Sequence, residues 1–176
     1  MMMETIIKND VQSDSAPMII DKIMTEHHDY FKYNLPIIST ILNSAMRFDK
    51  KAVKNLELIN KHFVEFKELL EAHIAEEKYI LFPVLQKLSL EEEKELDFKA
   101  AELKNIYRKI WNEINKLSSL LKQIKQLTNN YNPADNVSQS LKQCFWDLKM
   151  LDLNCEKYFI MEKKHLLLKL IINEKF

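Results

Sequence analysis

Residues 66–85 read FKELLEAHIAEEKYILFPVL, and this stretch is the strongest indicator of the fold. Apolar side chains recur in it at alternating spacings of three and four residues, which predicts one face of an amphipathic α-helix. The helix is expected over about 51–88, with Pro83 near its end. Its inward face runs through Phe63, Phe66, Leu70, His73, Glu77, Ile80 and Val84. Two polar residues, His73 and Glu77, therefore occupy positions that are normally apolar.

Three further segments show the same periodicity. Helices are expected over about 16–48, from a capping-box pattern at 89–92 to about 127, and from a loop at 128–133 to about 172. Their inward faces include Met24, His28, Phe31 and Leu35 in the first, Leu103, Tyr107, Ile110 and Ile114 in the third, and Leu141, Cys144, Leu148, Leu151, Cys155, Tyr158 and Glu162 in the fourth. Pro36 should kink or locally break the first helix. Four such helices with short connections predict an all-α, up-down-up-down four-helix bundle.

The composition supports a helical fold and excludes several classes of enzyme. The 176 residues contain no glycine and only four prolines. A chain without glycine has no phosphate-binding loop, no dinucleotide fingerprint and no nucleophile elbow, because each of these needs glycine at a tight turn. The length fits one domain, with residues 1–15 expected to form a flexible tail and residues 16–176 the bundle.

Charge and hydropathy indicate neither a nucleic-acid partner nor a membrane. Lys and Arg together number 26, and so do Asp and Glu, so the formal net charge is zero. No apolar run approaches the roughly 18 residues of a membrane span, and no signal-peptide core is present. Cys144 and Cys155 are too far apart along one helix to form a disulfide with each other, which favours buried thiols in a reducing compartment. The cytoplasm is the expected location.

Polar residues interrupt the inward faces of three helices. They are His28 on the first, His73 and Glu77 on the second, and Glu162 on the fourth. A buried carboxylate is tolerated when it is paired or bound to a metal. His73 and Glu77 are four residues apart, so they project from one face of one helix, and imidazole with carboxylate is a ligand mix suited to iron. From the residues alone, a metal centre and a hydrogen-bonded polar seam remain equally open.

Three segments resemble a known family. HHDYFKYNLP at 27–36, HIAEEKYILFPVL at 73–85 and LTNNYNP at 127–133 are similar to the hemerythrin-like (HHE cation-binding) family. Within it, the chain most resembles the di-iron proteins associated with repair of iron–sulfur clusters under nitrosative and oxidative stress. The resemblance covers roughly residues 20–168. It implies one or two non-haem iron ions per chain, O₂ or NO as small ligands, and iron–sulfur proteins as partners.

The resemblance also implies a set of metal ligands. Carried over position by position, these are His28, His73, Glu77, Glu113 and Glu162. In hemerythrin-type bundles the first two helices supply the histidines of one iron, the last two supply those of the other, and carboxylates bridge. On that scheme one iron site keeps His28 and His73, with Glu77 and Glu162 as bridges.

The other implied iron site has lost its histidines. Ile114 and Tyr158 stand at the aligned positions of two of them, and Asp49 stands at that of a further family histidine. Tyr158, Asp49 and His165 are candidates to replace the missing ligands. His27 precedes a predicted ligand and should point about 100° away from it, towards the surface or a position behind the ligands.

Three interpretations therefore remain open. The protein is a working iron protein, or a diverged bundle with partial or no metal that acts as a sensor or protein-interaction module. In the third interpretation, the polar seam only determines the helix register of a structural bundle. The sequence carries no signal for enzymatic catalysis by a Ser-His-Asp or Cys-His arrangement, and none for a particular oligomeric state.

Overall fold

The computed structural model describes residues 15–49, 53–90 and 96–166. Within these ranges the chain forms four long helices and no strand, which confirms the all-α prediction. Helix α1 comprises Ala16–Ile23, Met24–His28 and Asp29–Phe48, and α2 comprises Leu56–Glu76, Glu77–Leu81 and Phe82–Leu90. Helix α3 is Leu96–Leu127, and α4 comprises Gln139–Met161 and Glu162–Leu166.

The four helices pack as an antiparallel bundle. Helix α1 lies against α2 and α4, and α3 lies against α2 and α4. The first segment of α1 contacts the last segments of both α2 and α4, so these neighbours run in opposite directions. A single apolar cluster fills the space between the helices. In the described ranges we find no helix with the length and apolar character that crossing a membrane requires.

The predicted inward face of α4 is buried along its whole length. Its buried residues include Leu141, Cys144, Leu148, Leu151, Cys155, Tyr158 and Glu162. In α3, Ile110 and Ile114 are buried and Tyr107 is half-buried, while the side chain of Leu103 lies outside the described part of the chain. The α-helical period therefore identified the core side of both helices.

In α1 and α2 part of the predicted core face is wrong: the part before His28 in α1 and the part after Glu77 in α2. Met24 is 39 % exposed and Ile80 is 45 % exposed, whereas Ile23 and Leu81 are fully buried in their place. The physical reason is a π-helical turn in each helix, since such a turn adds one residue and shifts the register beyond it.

Pro36 does not break α1, contrary to the alternative that its sequence position suggested. The helix is continuous from Asp29 to Phe48. A proline removes one backbone donor, which here leaves the carbonyl of Lys32 without its helical partner. Lys32 is exposed, so water can reach that carbonyl.

Ser89 does not cap the third helix as predicted, because it lies inside α2. Glu92, the second residue of the predicted capping box, lies outside the described residues.

The predicted loop between α3 and α4 is confirmed, and it turns without glycine. Asn129, Asn130 and Tyr131 have φ values of 49°, 57° and 63°. Asparagine tolerates this left-handed region better than most residues. The Thr128 hydroxyl donates to the carbonyl of Ile124 at 2.8 Å and accepts from the backbone N–H of Tyr131 at 3.1 Å, which holds the turn in place.

Asp49 fastens the end of α1 to the start of α4. One of its oxygens accepts the backbone N–H of Ser138 at 2.6 Å, and the other accepts the Ser138 hydroxyl at 2.7 Å. On one helix, the 21 residues between His28 and Asp49 correspond to about 30 Å. Asp49 therefore lies just after the end of α1 and far from His28, and both of its carboxylate oxygens are engaged by Ser138.

Candidate metal centre

A cluster of polar side chains lies inside the bundle and draws on all four helices. Its members are His28 from α1, His73 and Glu77 from α2, Glu113 from α3, and Tyr158 and Glu162 from α4. Among the described segments, three π-helical turns lie at this level: one ends at His28, and the others begin at Glu77 and Glu162. π-Turns of this kind are frequent at functional sites because they redirect side chains from a regular helix.

Glu77 is the meeting point of one half of the cluster. Its Oε2 lies 2.8 Å from the Nε2 of His28, and the hydroxyl of Tyr158 donates a short hydrogen bond to the same oxygen. The Tyr158 hydroxyl is also 3.5 Å from His28 Nε2. Helices α1, α2 and α4 are thus joined through one carboxylate oxygen.

His73 is the meeting point of the other half. Its Nδ1 lies 2.8 Å from Glu113 Oε2, and its Nε2 lies 3.1 Å from Glu162 Oε1. Burial by itself lowers the pKa of His73, but the charge of Glu162 and the hydrogen bonds to Glu113 and Glu162 raise the pKa well above its ordinary value. The imidazole therefore sits in strongly negative surroundings.

The two central groups of the cluster are costly to ionise. Burial, followed by the nearby charge of Glu162, raises the pKa of Glu77 to about 8. Burial and the charges of Glu162 and Glu77 raise the pKa of the Tyr158 phenol well above its ordinary value. Without a cation, Glu77 therefore favours its protonated form near neutral pH, and a bound cation would favour the ionised form.

Two buried carboxylate oxygens in the cluster, Glu77 Oε1 and Glu162 Oε2, accept from no N–H or hydroxyl group of the described residues. A hydrogen bond between the Glu77 and Glu162 side chains contributes to the raised pKa of Glu77. His73, Glu77 and Glu162 each offer a ligand atom within 4.8 Å of the others. Orphaned buried oxygens are expensive, and an arrangement of imidazole nitrogen and carboxylate oxygens suits a divalent transition metal. The residues present therefore fit a metal ion.

Two members connect the cluster to the surface. His28 is 11 % exposed at its side chain, and it lines a cleft of about 340 Å³ between α1 and α2, together with Phe31, Leu35 and Ile74. The side chain of Glu113 is 19 % exposed on the other flank of α2. The group His73, Glu77 and Glu162 is buried behind them.

All five residues predicted as metal ligands come together in space, and their role as ligands stays a prediction. His73, Glu77 and Glu162 form the compact group, whereas His28 reaches it through Glu77 and Glu113 reaches it through His73. His165 is half-buried on the turn after Glu162 and does not belong to that group.

His27 and Asn154 are contacts that the sequence did not predict. His27 is buried, its Nδ1 lies 2.9 Å from the side-chain oxygen of Asn154, and its ring packs against Tyr158 at 5.4 Å between centroids. Of the two positions expected for His27, the structure shows the one behind the ligand candidates and not the surface. The pair of adjacent histidines, His27 and His28, was the one feature of the sequence that could have indicated these contacts of His27.

A four-helix bundle with a buried centre of histidine and glutamate defines a class of helical cation-binding proteins. The Hemerythrin HHE cation binding domain matches residues 19–150, and the chain belongs to this family. The matched range contains His28, His73, Glu77 and Glu113 and ends before Glu162. A comparison with curated proteins gives no match.

Proposed function

We propose that this chain is a hemerythrin-like, non-haem iron-binding protein that acts in the response to nitrosative or oxidative stress or in the repair of iron–sulfur centres. The observation that carries the proposal is the buried group His73, Glu77 and Glu162, in which Glu77 Oε1 and Glu162 Oε2 accept from no N–H or hydroxyl group of the described residues. Imidazole and carboxylate together favour iron over calcium or magnesium, which prefer oxygen alone.

Each side chain has a distinct part in holding the ion. His73, Glu77 and Glu162 would bind it directly, and His28 would complete the set from α1. Glu113 accepts at His73 Nδ1, a contact that sets the tautomer and orientation of a ligating imidazole in many metal sites. When bound, iron would supply a redox-active centre with affinity for O₂ or NO.

The surroundings of the cluster support small ligands rather than large ones. The cleft beside His28 gives a route from solvent, and the rings of Phe31, Phe82 and Tyr158 close off the space behind it. O₂ and NO are small enough to use such a route.

Iron–sulfur proteins as partners and a cytoplasmic location are part of the proposal. The buried free thiols of Cys144 and Cys155 support a reducing compartment.

The test is the metal content of the protein. We expect anaerobic purification after iron-replete expression to give about one or more iron ions per chain by mass spectrometry. His73→Ala should remove most of this iron, whereas His62→Ala, a half-buried histidine on the same helix outside the cluster, should leave it unchanged. Less than about 0.2 iron per chain in the unaltered protein would overturn the proposal.

A second candidate function is a diverged bundle, with partial or no metal, that serves as a sensor or protein-interaction module. The observation in its favour is that the cluster already satisfies many of its own polar atoms, since His28 and Tyr158 contact Glu77, and His73 contacts Glu113 and Glu162. In that case Glu77→Leu should lower the melting temperature equally with and without a chelator, because His28 Nε2 and the Tyr158 hydroxyl lose their shared partner in the interior. Iron binding instead predicts that Glu77→Leu loses the metal and with it the response to the chelator.

A further inference from the structure

Tyr158 is confined at the centre of the cluster. Its side chain is fully buried. The ring centroid lies 5.4 Å from those of His27 and Phe31, 5.5 Å from Phe159, 5.8 Å from His28 and 6.1 Å from His73. Aromatic rings close in on it from several directions, so the phenol cannot swing away without repacking the core.

The Tyr158 hydroxyl occupies one particular oxygen of the centre. It donates to Glu77 Oε2, which His28 Nε2 also contacts. A carboxylate oxygen has two acceptor positions, and at Oε2 the Tyr158 proton takes one of them while His28 Nε2 faces the other. A cation that replaces the contact between His28 and Glu77 leaves the phenol in place on Oε2, and a second cation on the α4 side of that oxygen would have to displace the Tyr158 proton.

The side of the cluster towards α3 offers little to a second cation. Glu113 Oε2 is engaged by His73 Nδ1, and Ile114, beside it in the chain, is a fully buried apolar residue. Over the ranges that the structure describes, His73, Glu77 and Glu162 form the one group of three potential ligand residues. A second cation would need donors that these side chains do not supply.

We infer that this centre holds one metal ion per chain, not two, and that Tyr158 excludes the second ion by holding Glu77 Oε2. The stoichiometry rests on the proposed iron-binding function, which it makes more specific. Tyr158 is then a positioning residue, because it acts on the ion through Glu77. Tyr158 holds Glu77 Oε2, and Ile114 is the buried apolar neighbour of Glu113, so these two residues are the ones to exchange.

The experiment is an anaerobic titration of the metal-free protein with ferrous ion, followed by native mass spectrometry. The unaltered chain should saturate at about one ion, and the double variant Tyr158→His with Ile114→His should saturate at about two. Tyr107→His is the matched control, since it adds an imidazole to a half-buried position of α3 outside the cluster and should leave about one ion.

The possible outcomes distinguish a failure of the single-ion inference from a failure of the proposed iron-binding function. No ion in the unaltered chain overturns the proposed iron binding itself, whereas two ions leave iron binding intact and overturn the single-ion inference. A folded double variant that still holds one ion overturns the role of Tyr158. If the double variant does not melt cooperatively, the number of ferrous ions bound by the single variant Tyr158→His decides whether Tyr158 excludes the second ion. If neither variant folds, the count for the unaltered chain still supports or overturns the single-ion site.

Discussion

Glu113 lies outside the compact group of His73, Glu77 and Glu162 but contacts one of its members. Its carboxylate is 19 % exposed and lies 2.8 Å from His73 Nδ1, so it touches the histidine and not Glu77 Oε1 or Glu162 Oε2. A carboxylate in this position makes an imidazole more basic and fixes its tautomer. We therefore expect Glu113 to act on metal binding through His73.

Replacing Glu113 by glutamine tests this role. Glu113→Gln keeps the shape and one acceptor oxygen but removes the charge that supports His73. We expect the affinity for ferrous ion to fall by about 10- to 100-fold, measured by competition with a chelator of known affinity. Glu102→Gln, an exposed glutamate of the same helix, is the control and should bind as the unaltered protein does. Equal affinities for both variants would contradict the role of Glu113.

At the scale of the helices, the π-turns are the feature that connects fold and centre. In α1, α2 and α4 they coincide with His28, Glu77 and Glu162. Each turn inserts one residue, so the helix keeps its apolar face on the core both before and after the polar cluster, although the positions shift by one. The chain thereby places charged residues in its interior without giving up the packing on either side.

At the end of the π-turn of α2, two adjacent residues differ strongly in burial. Leu81 is fully buried and Ile80 is 45 % exposed. Leu81→Ala should lower the free energy of unfolding by about 2–5 kcal/mol because it leaves a cavity in the core, while Ile80→Ala should cost less than about 1 kcal/mol. Urea denaturation of the two variants measures both values. A larger loss for Ile80→Ala than for Leu81→Ala would contradict the register that the structure gives this part of α2.

At the scale of the whole molecule, the cluster brings side chains of all four helices together in the interior. His28, His73, Glu113 and Glu162 come from α1, α2, α3 and α4, so an ion bound among them would link distant parts of the chain. A ligand that binds the native state but not the unfolded state stabilises the protein by mass action.

Removal of the metal should therefore lower the melting temperature. At a free ion concentration 100 times the Kd, the stabilisation is about 2.7 kcal/mol, which corresponds to about 5–10 °C for a chain of this size. The measurement is the Tm by circular dichroism with and without a chelator. His73→Ala should show no response to the chelator. If the unaltered chain is equally insensitive, the bundle does not depend on metal for stability.

The sequence alone was enough for the bundle and for the residues of the candidate centre. Helical periodicity is a local property, so the buried faces of α3 and α4 could be predicted from spacing alone. The polar residues that interrupt these faces had to meet in the interior, because antiparallel helices bring their inward faces together. The resemblance added Glu113, which no periodicity would have marked.

Only the tertiary structure decided how these residues contact one another. Tyr158 and Glu77 are 81 residues apart in the chain, and Asp49 and Ser138 are 89 apart. Such contacts depend on helix register and on the direction of each side chain, which spacing within one helix does not determine. The π-turns have the same status: beyond them Ile23 and Leu85 are buried in place of Met24 and Val84, and the regular helical period cannot predict this because the packing of the whole bundle decides where the extra residue is inserted.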